Sequence, residues 1–219
     1  RLNAGLPELV GGRNWDVMGF TVRGPNNFIG GGHPSLPEIR EGKYPPLLGF
    51  IESKDAGQSW EILSLRGTAD LHAFAQGGGT IYALDSTSGT LLASPDGKTW
   101  EKRSALAAHS IGMTGDGSLL ATTANGVVQS TDGRAWTRLP EAPALVLIAS
   151  NEEATWGIDQ AGAVFRNQAD GRWEQVGRVD GSPEAFAIGA DRLYAATDAG
   201  IYESPDGSAW GVIYKTPDD

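Results

Sequence analysis

With 27 Asp and Glu against 17 Lys and Arg, this 219-residue chain carries a formal charge of −10, a surface that repels a phosphate backbone and excludes nucleic acid as an expected partner. It has no cysteine, so disulfide scaffolds and thiolate chemistry are excluded, and it is long enough to bury a core without staples. No apolar run approaches the roughly 20 residues of a transmembrane helix, and abundant glycine (31) without long helical periodicity points to short strands and tight turns.

Taken in chain order, residues 1–16 read as the trailing strands of a first, incomplete unit. Residues 17 to about 65 carry four short strands, lengthened by an insertion that opens at Gly30-Gly31-Gly32-His33-Pro34 and runs to about Leu48. Next come Asp70–Ala75, a glycine turn at 77–79, Thr80–Leu84, a Ser/Gly turn, Thr90–Ala93, a further turn, and Trp100–Arg103. This is four strands in about 37 residues, the size of one β-propeller blade. The expected blades are 17–65, 69–104, 108–140, 144–178 and 184–215.

A repeated turn supports this division. Tryptophans at 60, 100, 136, 173 and 210 are spaced by 40, 36, 37 and 37 residues. Ahead of four of them stand Ser53-Lys54-Asp55-Ala56-Gly57-Gln58-Ser59, Ser94-Pro95-Asp96-Gly97-Lys98-Thr99, Ser130-Thr131-Asp132-Gly133-Arg134-Ala135 and Ser204-Pro205-Asp206-Gly207-Ser208-Ala209. Asn167-Gln168-Ala169-Asp170-Gly171-Arg172 is a worn copy before Trp173. Aspartate in such a turn accepts backbone N–H groups, glycine supplies a positive φ, and the tryptophan packs between blades.

These segments resemble the Asp-box, or BNR repeat, S-x-D-x-G-x-S/T-W. The resemblance implies a folding device on the face away from the ligand. Ser53, Asp55, Gly57, Trp60, Asp96, Trp100, Asp132, Trp136, Asp206 and Trp210 are therefore structural. The expected fold is all-β: a single β-propeller domain of four-stranded blades over residues 1–219. Six blades are expected in the complete protein, the first of them incomplete, with five as the alternative.

In such blades the innermost strand enters from the ligand face. His33, His72 and His109 sort to that face, and His72 follows Asp70 by two residues. Imidazoles with a carboxylate suit a divalent metal ion, the one cofactor these residues suggest, and His33, Asp70 and His72 are its candidate ligands. A single histidine at a strand start more commonly bonds a backbone carbonyl, which is the competing interpretation. The insertion brings Arg40, Lys43 and Tyr44, and connections above about 15 residues tend to be functional or disordered. Arg66, Arg103 and Arg178 follow fourth strands. Arg40, Tyr44, Arg66 and Asp85 are the candidate ligand-binding residues, although Asp85 sits in a turn where Asp is favoured for backbone reasons. There is no R-I-P motif, no clear Tyr–Glu pair and no carboxylate spacing that demands glycoside hydrolysis. No catalytic residue is assigned.

The stretches Asp16–Phe20, Gly32-His33-Pro34, Leu48–Ser53 and Asp85–Gly89 resemble a group of exported bacterial Asp-box propellers, often labelled glycosylhydrolase or sialidase-like. More distantly, the repeats are similar to sortilin-type and photosystem II assembly factor-like propellers. That family begins with an export signal, often lipoprotein-like, and a His-x-His motif in its first blade. Neither is present here, which implies a shortened N-terminus. By resemblance the chain is a secreted or cell-envelope module that binds a carbohydrate or protein. Sialidase-like glycoside hydrolysis is the alternative.

Overall fold

The structure, a computed structural model, describes residues 2–3 and 6–217. Two compact units divide the chain, Arg1–Ala107 and Ala108–Asp219. In the first, β1 (Leu2–Asn3) pairs only with β2 (Leu6–Pro7), followed by two four-stranded antiparallel blades. Blade 1 comprises β3 (Asp16–Gly24), β4 (Asn27–His33), β5 (Phe50–Ser53) and β6 (Glu61–Ser64). Blade 2 comprises β7 (Leu71–Gly77), β8 (Thr80–Asp85), β9 (Thr90–Ser94) and β10 (Glu101–Ala105).

The second unit holds three more blades. Blade 3 is β11 (Ala108–Met113), β12 (Leu119–Thr123), β13 (Gly126–Ser130) and β14 (Thr137–Arg138). Blade 4 is β15 (Leu145–Ser150), β16 (Thr155–Asp159), β17 (Ala163–Asn167) and β18 (Trp173–Arg178). Blade 5 is β19 (Pro183–Ile188), β20 (Leu193–Thr197), β21 (Gly200–Ser204) and β22 (Gly211–Lys215).

The fold is thus an all-β propeller of four-stranded blades, five among the described residues and not six. This is the five-blade alternative; residues 1–16 add no sixth four-stranded blade among the described residues. β1 and β2 pair with each other, and residues 1, 4 and 5 lie outside the described residues.

Burial explains the strand compositions. In β8, Ile81 to Asp85 are all buried, so the strand reads as a nearly unbroken apolar run. The fourth strand β10 is mostly exposed and carries Glu101, Lys102 and Arg103. The first unit's core gathers Ile29, Phe50, Leu71, Phe74, Ile81 and Leu92, with Trp100 packed against it. In the second unit, Trp156, Ile158, Val164, Leu193 and Tyr202 form one cluster and Leu120, Val127, Leu145 and Ile148 another.

The repeated turns join third to fourth strands and are held by their own side chains. Ser94 Oγ accepts the Gly97 N–H at 2.8 Å, and Ser53, Ser130 and Ser204 do the same for Gly57, Gly133 and Gly207. Gly97 has φ +72°, and its carbonyl accepts from the indole of Trp100, whose ring lies 5.2 Å from that of Phe50.

Asp96 accepts the N–H groups of Thr99 and Lys98 at 2.9 and 2.8 Å, and these bonds pull its pKa from 3.8 down to about 2. Asp55 and Asp206 are lowered the same way, chiefly by the hydroxyls of Ser59 and Ser208. A folded pKa below the unfolded one means stability that is complete above the unfolded value and lost as pH falls through the folded one. Urea midpoints should therefore fall between about pH 4 and pH 2, and less steeply in Asp96→Asn, whose amide oxygen still accepts but does not titrate. Parallel curves for the two proteins would show that this turn does not sense pH.

Candidate metal centre

The site is built entirely within the first unit, from β4, β7 and the β4–β5 insertion. The run Gly30-Gly31-Gly32-His33 is the end of β4, with His33 as its last residue. A Cβ on Gly31 would stand 2.7 Å from both Cβ and O of Leu71. One on Gly19 would stand 2.7 Å from Leu71 O and 2.8 Å from the Phe74 ring. Only bare backbone at these two positions lets β7 lie so close to β3 and β4. Leu71 is fully buried there, and its chain neighbours Asp70 and His72 come alongside His33.

His33 Nε2 lies 3.3 Å from Asp70 Oδ1, and His72 Nε2 lies 3.0 Å from Asp70 Oδ2. The ligating atoms of the three residues all fall within 4.8 Å of one another, and the two imidazole planes stand at 83°. On the other side of the His33 ring, Nδ1 is 3.0 Å from the Pro46 carbonyl in the insertion. A carbonyl only accepts, so Nδ1 donates to it, and Nε2 is the ring nitrogen left to face Asp70.

Asp70 is 8% exposed. Its Oδ2 accepts the Ser86 hydroxyl at 2.7 Å, whereas Oδ1, like His72 Nε2, is a buried atom that makes no hydrogen bond among the described residues. Two donors each about 2.1 Å from one ion stand about 3.0 Å apart in octahedral and about 3.4 Å apart in tetrahedral geometry. The His33 and His72 separations lie in that range, each from a different oxygen of Asp70. The donor set, two imidazoles and one carboxylate, suits a divalent transition metal.

Of the other residues singled out from the sequence, Asp85 stands behind the site as a brace. Its carboxylate accepts the Asp70 N–H at 2.9 Å, the Thr87 N–H at 3.3 Å and the Ser88 hydroxyl, which directs it into its own turn. Arg66, just after β6, brings its guanidinium 5.4 Å over the ring of Tyr44 in the insertion, while Arg40 is exposed in the last turn of the short helix α1 (Leu36–Arg40). His109 is exposed on β11 in the second unit. Arg103 pairs with Glu101 and Arg178 donates to Ala161 O, so each is engaged within its own blade. Sequence reasoning missed Pro46, Ser86, Arg13 and Trp15. The last two lie in the segment read as blade remnant.

A five-bladed propeller framing a His–Asp–His cluster is the class of protein these observations define. No family model matches the chain, and no curated protein matches its sequence. Solved structures match its fold. The nidogen/laminin complex aligns with a TM-score of 0.67 at 12% identity, over 89% of this chain and 77% of that one. Virginiamycin B lyase from Staphylococcus aureus gives 0.61 at 11%, over 95% and 73%. YCF48 bound to a D1 peptide gives 0.55 at 14%, over 91% and 67%. At such identities the likeness is one of fold alone.

The seat of Leu71 yields a direct test. Gly31→Ala forces a Cβ against buried backbone and should cost about 1–3 kcal/mol of stability in urea unfolding, as overpacked positions do. Gly24→Ala, whose Cβ meets nothing within 4 Å, should be near neutral. Equal effects at the two positions would show that the close approach is not a constraint.

Proposed function

We propose that this chain is a ligand-binding propeller that works outside the cytoplasm and holds a divalent metal ion between His33, Asp70 and His72. The observation that carries the reading is the convergence of three ligand atoms, two of them buried and without a hydrogen bond among the described residues. Pro46 engages His33 Nδ1 and leaves Nε2 facing Asp70 Oδ1, and His72 Nε2 closes the set. A cation shared by the three satisfies these buried atoms. A metal ion supplies it, and the Pro46 contact and the Ser86 hydroxyl on Asp70 are the outer partners that orient metal ligands. Three protein ligands leave coordination positions for water or a ligand.

The resemblance to exported Asp-box propellers supports a place in the cell envelope or beyond it, and a carbohydrate or protein as the partner. No helix among the described residues is long and apolar enough to cross a membrane. Glycoside hydrolysis is less well supported. Most glycosidases need two carboxyl groups across the scissile bond, whereas this cluster presents Asp70 alone, with Asp85 turned into its own turn.

Metal analysis of protein dialysed against zinc should find one ion per chain, removable by EDTA. A metal at 100 times its Kd should stabilise the fold by about 2.7 kcal/mol, or about 5–10 °C in Tm. His72→Ala and Asp70→Asn should lose both the ion and the shift, and His109→Ala should keep them. No shift with zinc, copper(II) or calcium, or an undiminished shift in His72→Ala, would overturn the reading.

A further inference from the structure

Beside the metal cluster, the insertion gathers positive charge around two aromatic rings. Trp15 and Tyr44 meet edge to face at 5.4 Å. The Arg13 guanidinium lies 4.6 Å from the centre of the Trp15 ring, and its Nη1 donates to the Tyr44 hydroxyl at 3.3 Å. Lys43 Nζ and the Arg66 guanidinium stand 5.5 and 5.4 Å from the centre of the Tyr44 ring. Arg66 is anchored by one further hydrogen bond, from Nη2 to Lys43 O at 3.2 Å.

Glu38 is the one carboxylate among these groups, and it is already engaged. It accepts the Trp15 indole at 2.8 Å, the Ser35 hydroxyl at 2.9 Å and Lys43 Nζ at 3.2 Å, and Arg13 Nη1 lies 4.0 Å from its Oε1, whereas Arg66 pairs with no carboxylate among the described residues. Burial pushes its pKa up, but these donors, Ser35 first, outweigh burial and hold it below the usual carboxylate range. Three cations thus face one saturated anion, in a chain whose net charge is −10. The island adjoins the metal cluster along three chain segments. Trp15 precedes Asp16, the cross-strand partner of His33; Tyr44 lies two residues before Pro46, which holds the His33 ring; and Arg66 leads into Asp70.

We propose that this island is a carboxylate-binding subsite serving the metal centre, so that the ligand is a small carboxylate that reaches the ion with one of its neutral oxygen functions. The inference rests on the metal reading above. Arg66 is exposed and spends one N–H on Lys43 O, which leaves the remaining donors of its fork for a carboxylate, and a guanidinium over a ring is the group that receives one through two parallel hydrogen bonds. The stack restricts the side chain before the ligand arrives, so little further entropy is lost on binding. Lys43 adds attraction without direction. Such a ligand has two chemical sources, an acidic sugar or the C-terminus of a peptide, and the carboxylate is common to both.

The test is an NMR titration of zinc-loaded protein with glucuronate and with N-acetylglycine, each against its neutral counterpart, glucose and N-acetylglycinamide. At least one carboxylate should bind while its neutral counterpart does not, and which one binds identifies the source. Arg13→Gln with Arg66→Gln should weaken that binding about tenfold or more. Arg66→Lys, which keeps the charge and loses the fork, should also weaken it, and both variants should still bind one zinc ion, which shows that they are folded. Zinc binding with no carboxylate bound, or carboxylate binding unchanged in the arginine variants, would overturn the subsite and leave the metal reading standing. Failure of zinc itself to bind would remove the metal reading.

Discussion

Leu71 can reach its seat only because positions 19 and 31 carry no side chain. This close approach sets the spacing of blades 1 and 2, buries a fully apolar residue at the join and fixes the backbone on either side of it. Asp70 and His72 are held at His33 as a by-product of core packing, which is why a polar cluster persists at the edge of an apolar interface. Asp85 finishes the arrangement by accepting the Asp70 N–H, so the start of β7 is fixed from both its apolar and its polar side.

The electrostatic consequence follows from where the insertion runs. Pro46 engages Nδ1 of His33 and turns Nε2 toward a buried carboxylate. A buried carboxylate oxygen that makes no hydrogen bond is costly unless a cation meets it. The same insertion, anchored through Glu38 and Trp15, keeps cations beside the cluster in an otherwise acidic chain. One loop therefore orients His33 and supplies charge opposite to that of the protein as a whole.

The repeat fold was legible because its signals are local. Serine, aspartate and glycine bond within a single turn, as Ser94, Asp96 and Gly97 do, and the tryptophan that follows marks the next strand. His33, Asp70 and His72 were legible through topology, since strand order places them on one face even though 37 residues separate His33 from Asp70. Of the two blade numbers open from the sequence, five is the one observed, because β1 and β2 pair with each other and not with a blade. The roles of Arg13 and Trp15 depend on the path of the insertion, which no periodicity encodes. Asp85 offered two interpretations from the outset, and its hydrogen bonds match the turn-forming one.

The most direct test of the metal centre is anomalous diffraction at the zinc edge from crystals grown with stoichiometric zinc. The account predicts one strong peak bonded to Nε2 of His33, a carboxylate oxygen of Asp70 and Nε2 of His72, with His33 Nδ1 still on Pro46 O. A zinc ion bound elsewhere, or no ion at the cluster with the His33 and His72 rings paired directly with Asp70, would contradict it.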